Sequence, residues 1–178
     1  MSLFGSILAN QLGWLPAQNI KGVTVGGDYQ IDAYGDPLTP GIPSIRAIKI
    51  PLQTPVEFRT ATGTSLFATQ LFFEFRRNVG FDFRTFRNIA LAGGGNYTVP
   101  DVDGVVITAL TPSNGVNLTH LIPVQLIPGV AYAPYEVADP YLRPGQVITV
   151  PGNGISIQVI AINKNATPNT LTLRVEYQ

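Results

Sequence analysis

The side chains that most often carry out catalysis are scarce in this chain of 178 residues. It has no cysteine and one histidine, His120, which lies in the middle of the apolar run 116–127. A single histidine in such a run is typical of a packed or hydrogen-bonded side chain rather than of a base or a metal ligand. The eleven carboxylates are spread over turns and outward strand positions, and no two are singled out as an acid–base pair. We therefore expect no enzymatic activity.

Two short motifs begin like binding loops but lack the residues that such loops need. Asp101-Val102-Asp103-Gly104 opens like a calcium loop, yet Val-Val-Ile follows where further oxygen ligands are required. Gly93-Gly94-Gly95 is not followed by the Lys-Ser/Thr of a phosphate-binding loop. A turn before a strand and a flexible hinge explain the two motifs, so we expect no metal and no cofactor.

Basic and aromatic residues come together between Ser65 and Arg87. This stretch, SLFATQLFFEFRRNVGFDFRTFR, holds seven of the nine phenylalanines and four of the eight arginines. Aromatic rings that stack on bases and arginines that hold phosphates would suit a nucleic acid. However, the phenylalanines alternate as in a strand, and the net charge of zero differs from the basic charge usual in nucleic-acid binders. We expect the arginines to pair with Glu74, with Asp82 or with carboxylates of a neighbouring subunit.

The same stretch supplies the centre of the predicted core. Alternate positions on one face of a strand, and a second short run after Gly80, are apolar. The predicted core residues are Phe67, Leu71, Phe73, Phe75, Phe81 and Phe83. Because the intervening positions change from apolar residues to Glu74 and Arg76, we expect the strand to begin buried on both faces and to end with one face in water.

Short alternating apolar runs, separated by Gly, Pro and Asn, predict about nine or ten strands. The clearest is a C-terminal hairpin in which Ile155, Ile157, Val159 and Ala161 alternate, followed by Leu171, Leu173, Val175 and Tyr177. A second hairpin is predicted around Gly26-Gly27, and Pro51 indicates an edge strand or a strand end. Helices do not alternate with the strands. The pattern therefore predicts an all-β fold, an antiparallel β-sandwich or single jelly-roll barrel.

One short helix is predicted at the N-terminus. Leu3, Phe4, Ile7, Leu8 and Leu12 share a helical face within residues 2–12, and Gly13 suits a C-terminal cap. So short a helix is marginal in water and must pack on something. No Lys or Arg precedes Lys21, which favours packing on protein over contact with a membrane surface. We divide the chain into an N-terminal arm, residues 1–16, and one β-sandwich domain, residues 17–178.

The low charge of the chain bears on its surface. Charged residues make up 12% of the sequence, about half the usual share. A lone protein with so little charge would tend to associate, unless Ser, Thr, Asn and Gln cover its surface. The proline-rich loops 35–44 and 128–145 are of a kind that often meets a partner. The predicted contact residues lie in the arm and in the second loop: Leu3, Phe4, Ile7, Leu8, Trp14, Tyr132, Tyr135 and Tyr141.

These features together resemble the single jelly-roll capsid proteins of tailless icosahedral bacteriophages. The resemblance lies in low charge, missing cysteine, an N-terminal arm, a proline-rich β fold and tyrosine-bearing loops. It covers the whole chain in architecture but rests on no diagnostic motif, so it assigns no residue a role. It implies a structural virion protein, a capsid or shell subunit assembled in the host cytoplasm, that contacts copies of itself and other virion proteins and takes no small-molecule substrate.

Two alternatives stay open. Head-decoration and tail proteins of tailed phages share the same general features. A β-sandwich that binds a carbohydrate or a host receptor would use Tyr132, Tyr135 and Tyr141 as stacking platforms. In that case Asp101 and Asp103 would serve as polar or calcium contacts.

Overall fold

The computed structural model describes residues 15–38, 41, 43–59, 65–77, 89–90, 96–97, 103–113, 116–121 and 141–178. Almost all regular structure in these ranges is β-strand. The strands are β1 (Ile20–Gly22), β2 (Gly27–Asp32), β3 (Ala47–Arg59), β4 (Ser65–Arg76), β5 (Ile89–Ala90), β6 (Asn96–Tyr97), β7 (Gly104–Ser113), β8 (Val116–Leu121), β9 (Tyr141–Leu142), β10 (Val147–Val150), β11 (Ile155–Asn163) and β12 (Thr170–Tyr177). A single 3-10 turn, Ala17–Asn19, precedes β1. The predicted helix 2–12 lies outside the described residues.

Two sheets make up the described part of the fold. Sheet A has six strands in the order β1-β3-β4-β7-β8, and β9 also pairs with β7. Sheet B has four strands in the order β10-β11-β12-β2, while β5 and β6 form a separate pair. Every pairing is antiparallel except that of β1 with β3. The predicted all-β class, with two sheets and almost no helix, is therefore confirmed.

The core lies between the two sheets, where every second side chain of each sheet points inward. Sheet A contributes Ile48, Ile50, Val56, Ala68, Leu71, Phe73, Phe75, Val105, Ile107, Ala109 and Leu142. Sheet B contributes Ile31, Ile148, Val150, Ile155, Ile157, Val159, Leu171, Leu173 and Val175. Of the predicted core residues, Leu71, Phe73 and Phe75 are fully buried here, and Phe81 and Phe83 lie outside the described residues.

Phe67 was placed in the core by the sequence pattern, and this prediction is wrong: its side chain is 55% exposed. Pairing between β3 and β4 is broken at this point, because β3 carries residues 52–55 where β4 carries Thr69 alone. A slip of one position exchanges the two faces of a strand. Ala68 therefore points into the core beyond the break, and Phe67 points into solvent.

The burial along β4 is also the reverse of what was expected. Ser65 and Phe67 at its start are exposed, whereas Glu74 and Arg76 near its end are buried. Residues 70–76 pair with β3 and β7, or with β7 alone, and so lie within the sheet. The first residues of β4 extend beyond the last pair with β7, Gln70–Leu110, and are left in contact with water.

The predicted hairpin around Gly26-Gly27 does not form. β1 pairs in parallel with β3 of sheet A, and Val23 N continues this contact by donating to Lys49 O at 2.9 Å. β2 instead pairs with β12 of sheet B. The connection between β1 and β2 thus passes from one sheet to the other, and each strand finds a partner far away in sequence.

The predicted C-terminal hairpin is confirmed as β11 and β12, with one difference. A register shift between Val159 and Ala161 interrupts the alternation, so that Ala161 is exposed rather than inward. Pro51, predicted at an edge or a strand end, lies in β3 beyond the last residue paired with β1 and beside the break in pairing with β4.

Candidate functional site

Every carboxylate in the described ranges has a hydrogen-bond or ion-pair partner. Asp28 pairs with Arg174, Asp32 accepts from Ser44, Asp36 accepts from Asn169, Glu57 accepts from Ser65, Glu74 pairs with Arg76, Asp103 pairs with Arg77 and Lys164, and Glu176 accepts from Ser156. No group of three or more His, Cys, Asp or Glu that could hold a metal occurs in this part of the chain. These carboxylates tie strands and turns together.

Asp103 joins both sheets at one end of the sandwich. Arg77, just after β4, lies with Nε 3.1 Å from Asp103 Oδ1, and Lys164, in the turn after β11, contacts Oδ2. Burial by itself would raise the pKa of Asp103, but hydrogen bonds from Lys164 and Arg77 outweigh it and hold that pKa below its ordinary value. As a calcium or sugar contact, this carboxylate would first have to give up both cations.

Arg76 and Arg77 belong to the stretch for which a nucleic-acid role was considered. Arg76 Nη2 lies 2.7 Å from Glu74 Oε2, as the expected pairing requires, and its guanidinium stacks 3.9 Å from the centre of the Tyr34 ring. Arg77 pairs with Asp103, which the sequence analysis did not anticipate. Both guanidinium groups are thus held within the chain. Arg84 and Arg87 lie outside the described residues.

The other sequence candidates are only partly placed. His120 lies in β8 opposite Ala109, and Tyr141 lies in β9 opposite Val106; the structure describes the backbone of both but not their side chains. The remaining predicted contact residues fall outside the described ranges, as does Asp101: Leu3, Phe4, Ile7, Leu8, Trp14, Tyr132 and Tyr135.

A different surface is well defined in the structure: the outer face of sheet B. It consists of the side chains on its four strands that point away from the core. Apart from the row Asp32, Thr170 and Asn163 at the end of the sheet, they are Asp28 and Gln30 on β2, Val147 and Thr149 on β10, Ser156, Gln158, Ile160 and Ala161 on β11, and Thr172, Arg174 and Glu176 on β12. Eight of these eleven residues carry no charge, and most of the eight have short side chains.

The three charged residues of this face are engaged within the sheet. Arg174 lies opposite Asp28 and forms a two-pronged pair with it, Nε–Oδ1 at 2.7 Å and Nη2–Oδ2 at 2.9 Å. The hydrogen bond from Arg174 lowers the pKa of Asp28, and the same bond raises the pKa of Arg174. Glu176 accepts a hydrogen bond from Ser156 Oγ across the strands at 3.3 Å.

The sequence analysis missed this face although its pattern is visible. Ser156 and Gln158 alternate with buried isoleucines, and Thr172, Arg174 and Glu176 alternate with buried leucine and valine. The alternation shows which side chains point outward. It does not show that four strands place them side by side, because β2 and β12 meet only in the folded chain.

Searches of protein-family models, of curated proteins and of solved structures found no match for this chain. Within the described residues no helix is long and apolar enough to cross a membrane.

Proposed function

We propose that this protein is a structural shell subunit that assembles with copies of itself through the outer face of sheet B. The observation that carries the proposal is that the charges of that face already have partners within the sheet: Asp28 pairs with Arg174, and Glu176 accepts a hydrogen bond from Ser156. In the wider setting it would be a virion protein, a capsid subunit assembled in the host cytoplasm.

The physical argument rests on the cost of burying charge. Burying an unpaired charge costs several kcal/mol of free energy. Burying a well-aligned ion pair costs much less, because the attraction between the two charges offsets most of the lost hydration. Asp28 and Arg174 are already paired with each other before this face is covered, so neither charge is buried alone. The uncharged residues around this pair, Thr149, Ser156 and Gln158, can donate and accept hydrogen bonds across the contact.

The finer architecture belongs to the same proposal. In sheet B the three neighbours β10, β11 and β12 follow one another, and β2 reaches the far side of β12 by a long connection through sheet A. That arrangement is related to a Greek key, of which jelly rolls are built, and it supports the jelly-roll assignment. By contrast, β3, β4, β7 and β8 are successive neighbours within sheet A among the described strands, where a jelly roll would change sheets more often.

The N-terminal arm is proposed as the second contact. Leu3, Phe4, Ile7 and Leu8 would present an apolar helical face to a neighbouring subunit. With the arm reaching a neighbour and the outer face of sheet B covered by another, each subunit would have two different contacts. Two kinds of contact are what a closed shell built from one chain requires.

The experiment that tests the proposal compares two variants with the same chemical change. Gln158→Lys places an ammonium at the centre of the outer face of sheet B, and Gln53→Lys places one at an exposed site in β3. Sedimentation velocity over a range of concentrations, with electron microscopy of the particles, measures assembly.

We expect the wild type and Gln53→Lys to assemble and Gln158→Lys to remain small, with unchanged circular dichroism in all three. A wild-type chain that stays monomeric at every concentration contradicts the proposed function. Equal assembly of both variants contradicts the choice of surface.

A further inference from the structure

A cavity of mixed polar and apolar lining lies beside the 3-10 turn that precedes β1. It has a volume of about 370 Å³ and is lined, among the described residues, by Gln18, Asn19, Gly41, Pro43 and Ser44. This volume lies within the range of small-molecule sites. The side chains that line it are two amides, a hydroxyl and a proline ring, and none of them is charged.

Two of the polar residues that line the cavity, Asn19 and Ser44, are held in place by the fold. Asn19 is 6% exposed, and its Nδ2 donates to Ser44 O at 2.5 Å. Asn19 O accepts from Arg46 N at 2.8 Å, which fixes its backbone. Ser44 Oγ donates to Asp32 Oδ2 at 2.6 Å, so its lone pairs remain able to accept a hydrogen bond. Groups fixed in this way lose little conformational entropy when a ligand binds.

Charged residues next to Ser44 disfavour an anion. Arg46 is 2% exposed, and its guanidinium donates to Pro37 O at 3.1 Å and to Ala33 O. Its Nε finds no hydrogen-bond partner among the described residues. The carboxylates of Asp32 and Asp36 act on this one cation, so two negative groups face one positive group. A phosphate or carboxylate ligand hydrogen-bonded at Ser44 would lie next to the Asp32 carboxylate and be repelled by it.

We propose that this cavity binds one neutral sugar residue of a glycan. The Gln18 amide can both donate to and accept from sugar hydroxyls, and the Ser44 hydroxyl, whose proton goes to Asp32, can accept. The Pro43 ring offers an apolar surface to the C–H side of the sugar. The site is separate from the outer face of sheet B, so the inference holds or fails independently of assembly. If the chain does form a shell, each subunit carries its own glycan site.

Saturation-transfer NMR tests the proposal because it observes the ligand and works for monomers and large assemblies alike. The probes are the methyl glycosides of glucose, galactose, mannose and N-acetylglucosamine, each at a few mM, added to the full chain. Gln18→Ala removes an exposed amide from the cavity, and Gln53→Ala removes one from an exposed site in β3 that belongs to neither proposed surface.

We expect saturation transfer to at least one glycoside, a loss of fivefold or more in Gln18→Ala, and no change in Gln53→Ala. Thermal melting checks that both variants fold. The proposal is overturned if no glycoside receives saturation, if Gln18→Ala binds as the wild type does, or if a blocked dipeptide displaces the glycoside from the site more effectively than free sugar.

Discussion

Asp28 and Arg174 are 146 residues apart in the chain, and their side chains form a two-pronged ion pair across neighbouring strands. β2 enters sheet B near the start of the chain, and β12 completes that sheet at the end of it. All strands of sheet A except β1 lie between β2 and β12 in the sequence. The outer face of sheet B therefore exists only when both ends of the described chain have folded together.

This pair gives a direct test of whether its face is covered in an assembly. Arg174→Gln leaves Asp28 charged and alone, while the double variant Asp28→Asn/Arg174→Gln removes both charges. The two side chains are about half exposed, so the unfolding midpoint in urea should differ little among these proteins. Association should be weak for the single variant and restored in the double variant, because an unpaired charge is costly only when it is covered.

Sedimentation equilibrium of the wild type, the single variant and the double variant measures the three association constants. The four-member cycle, completed with Asp28→Asn, isolates the coupling between the two side chains. If Arg174→Gln associates as tightly as the wild type, the pair stays in water and this face is not the contact.

The buried pair on β4 should behave differently. Glu74 is completely buried beside Arg76, and Glu74→Gln removes the negative charge that lies 2.7 Å from the guanidinium in an environment with little water. We expect Glu74→Gln to lower the free energy of unfolding by about 3–5 kcal/mol, as for other broken buried pairs. Urea unfolding followed by circular dichroism measures the change.

Glu57→Gln is the matched control for Glu74→Gln. Glu57 is exposed on β3 and accepts a hydrogen bond from Ser65. The same substitution there should cost less than about 1 kcal/mol. Similar losses in both variants would mean that Glu74 and Arg76 do not depend on each other as their geometry indicates.

These charges mark the limit of what the sequence could predict. Alternation correctly located β11, β12 and the buried face of β4, because the periodicity of a strand is a local property. Glu74 and Arg76 alternate with the buried Phe73 and Phe75, so the same rule predicted that their side chains would be exposed to solvent. Their burial follows from the neighbours that pair with β4, which are brought there from distant parts of the chain.

Phe67 and the first two strands were mispredicted for the same physical reason. The break opposite residues 52–55 exchanges the faces of β4, and it depends on how β3 and β4 align, not on the composition of either. The local hydrophobic pattern around Gly26-Gly27 suits a hairpin. β1 and β2 instead gain more partners in two different sheets. The candidate site could be anticipated strand by strand, but not as one surface.

The lowered pKa of Asp103 predicts that the stability of the fold depends on pH. Its pKa in the folded protein is lowered, so its contribution is fully present above the unfolded value of about 3.9 and is lost as the pH falls through the folded value. We expect Asp103→Asn to lower the free energy of unfolding at pH 7 by about 1 kcal/mol, since water partly screens the pairs with Arg77 and Lys164.

Urea unfolding of the wild type and of Asp103→Asn at a series of pH values checks this. The difference between the two proteins should be constant from neutral pH down to about pH 5 and should shrink below pH 4. A difference that grows on acidification would show that the carboxylate is not stabilised by these cations.

Asn153 joins the turn between β10 and β11 to the irregular part of β3. Its Nδ2 donates to Thr54 O and to Pro151 O, both at 2.9 Å, and its Oδ1 accepts from Thr54 N at 3.1 Å. Asn153→Asp replaces the donor by a negative oxygen that faces two carbonyl oxygens. We expect a loss of about 1–2 kcal/mol in the free energy of unfolding, measured in urea at pH 7.

The same change at Asn165 is the control for Asn153. Asn165 is exposed in the turn between β11 and β12, and its backbone N–H donates to Asn163 Oδ1. Asn165→Asp should leave the unfolding midpoint nearly unchanged. If both variants unfold alike, the three hydrogen bonds of Asn153 contribute nothing measurable to the contact between the two sheets.

The N-terminal arm can be tested by deletion, and the structure indicates where the deletion must stop. Leu15 is buried, and Asn19 shortly after it is buried and hydrogen-bonded, so both belong to the folded body. Removing residues 2–14 takes away Leu3, Phe4, Ile7, Leu8 and Trp14 and spares these contacts. We expect the shortened chain to keep its circular dichroism spectrum and its melting temperature but to assemble poorly, because it has lost the apolar face proposed to reach a neighbour.

A second shortened chain, in which the deletion extends to residue 19, should lose stability as well, and so it separates the role of the arm in assembly from the role of residues 15–19 in the fold. A chain without residues 2–14 that assembles as completely as the full-length protein would remove the arm from the proposed mechanism.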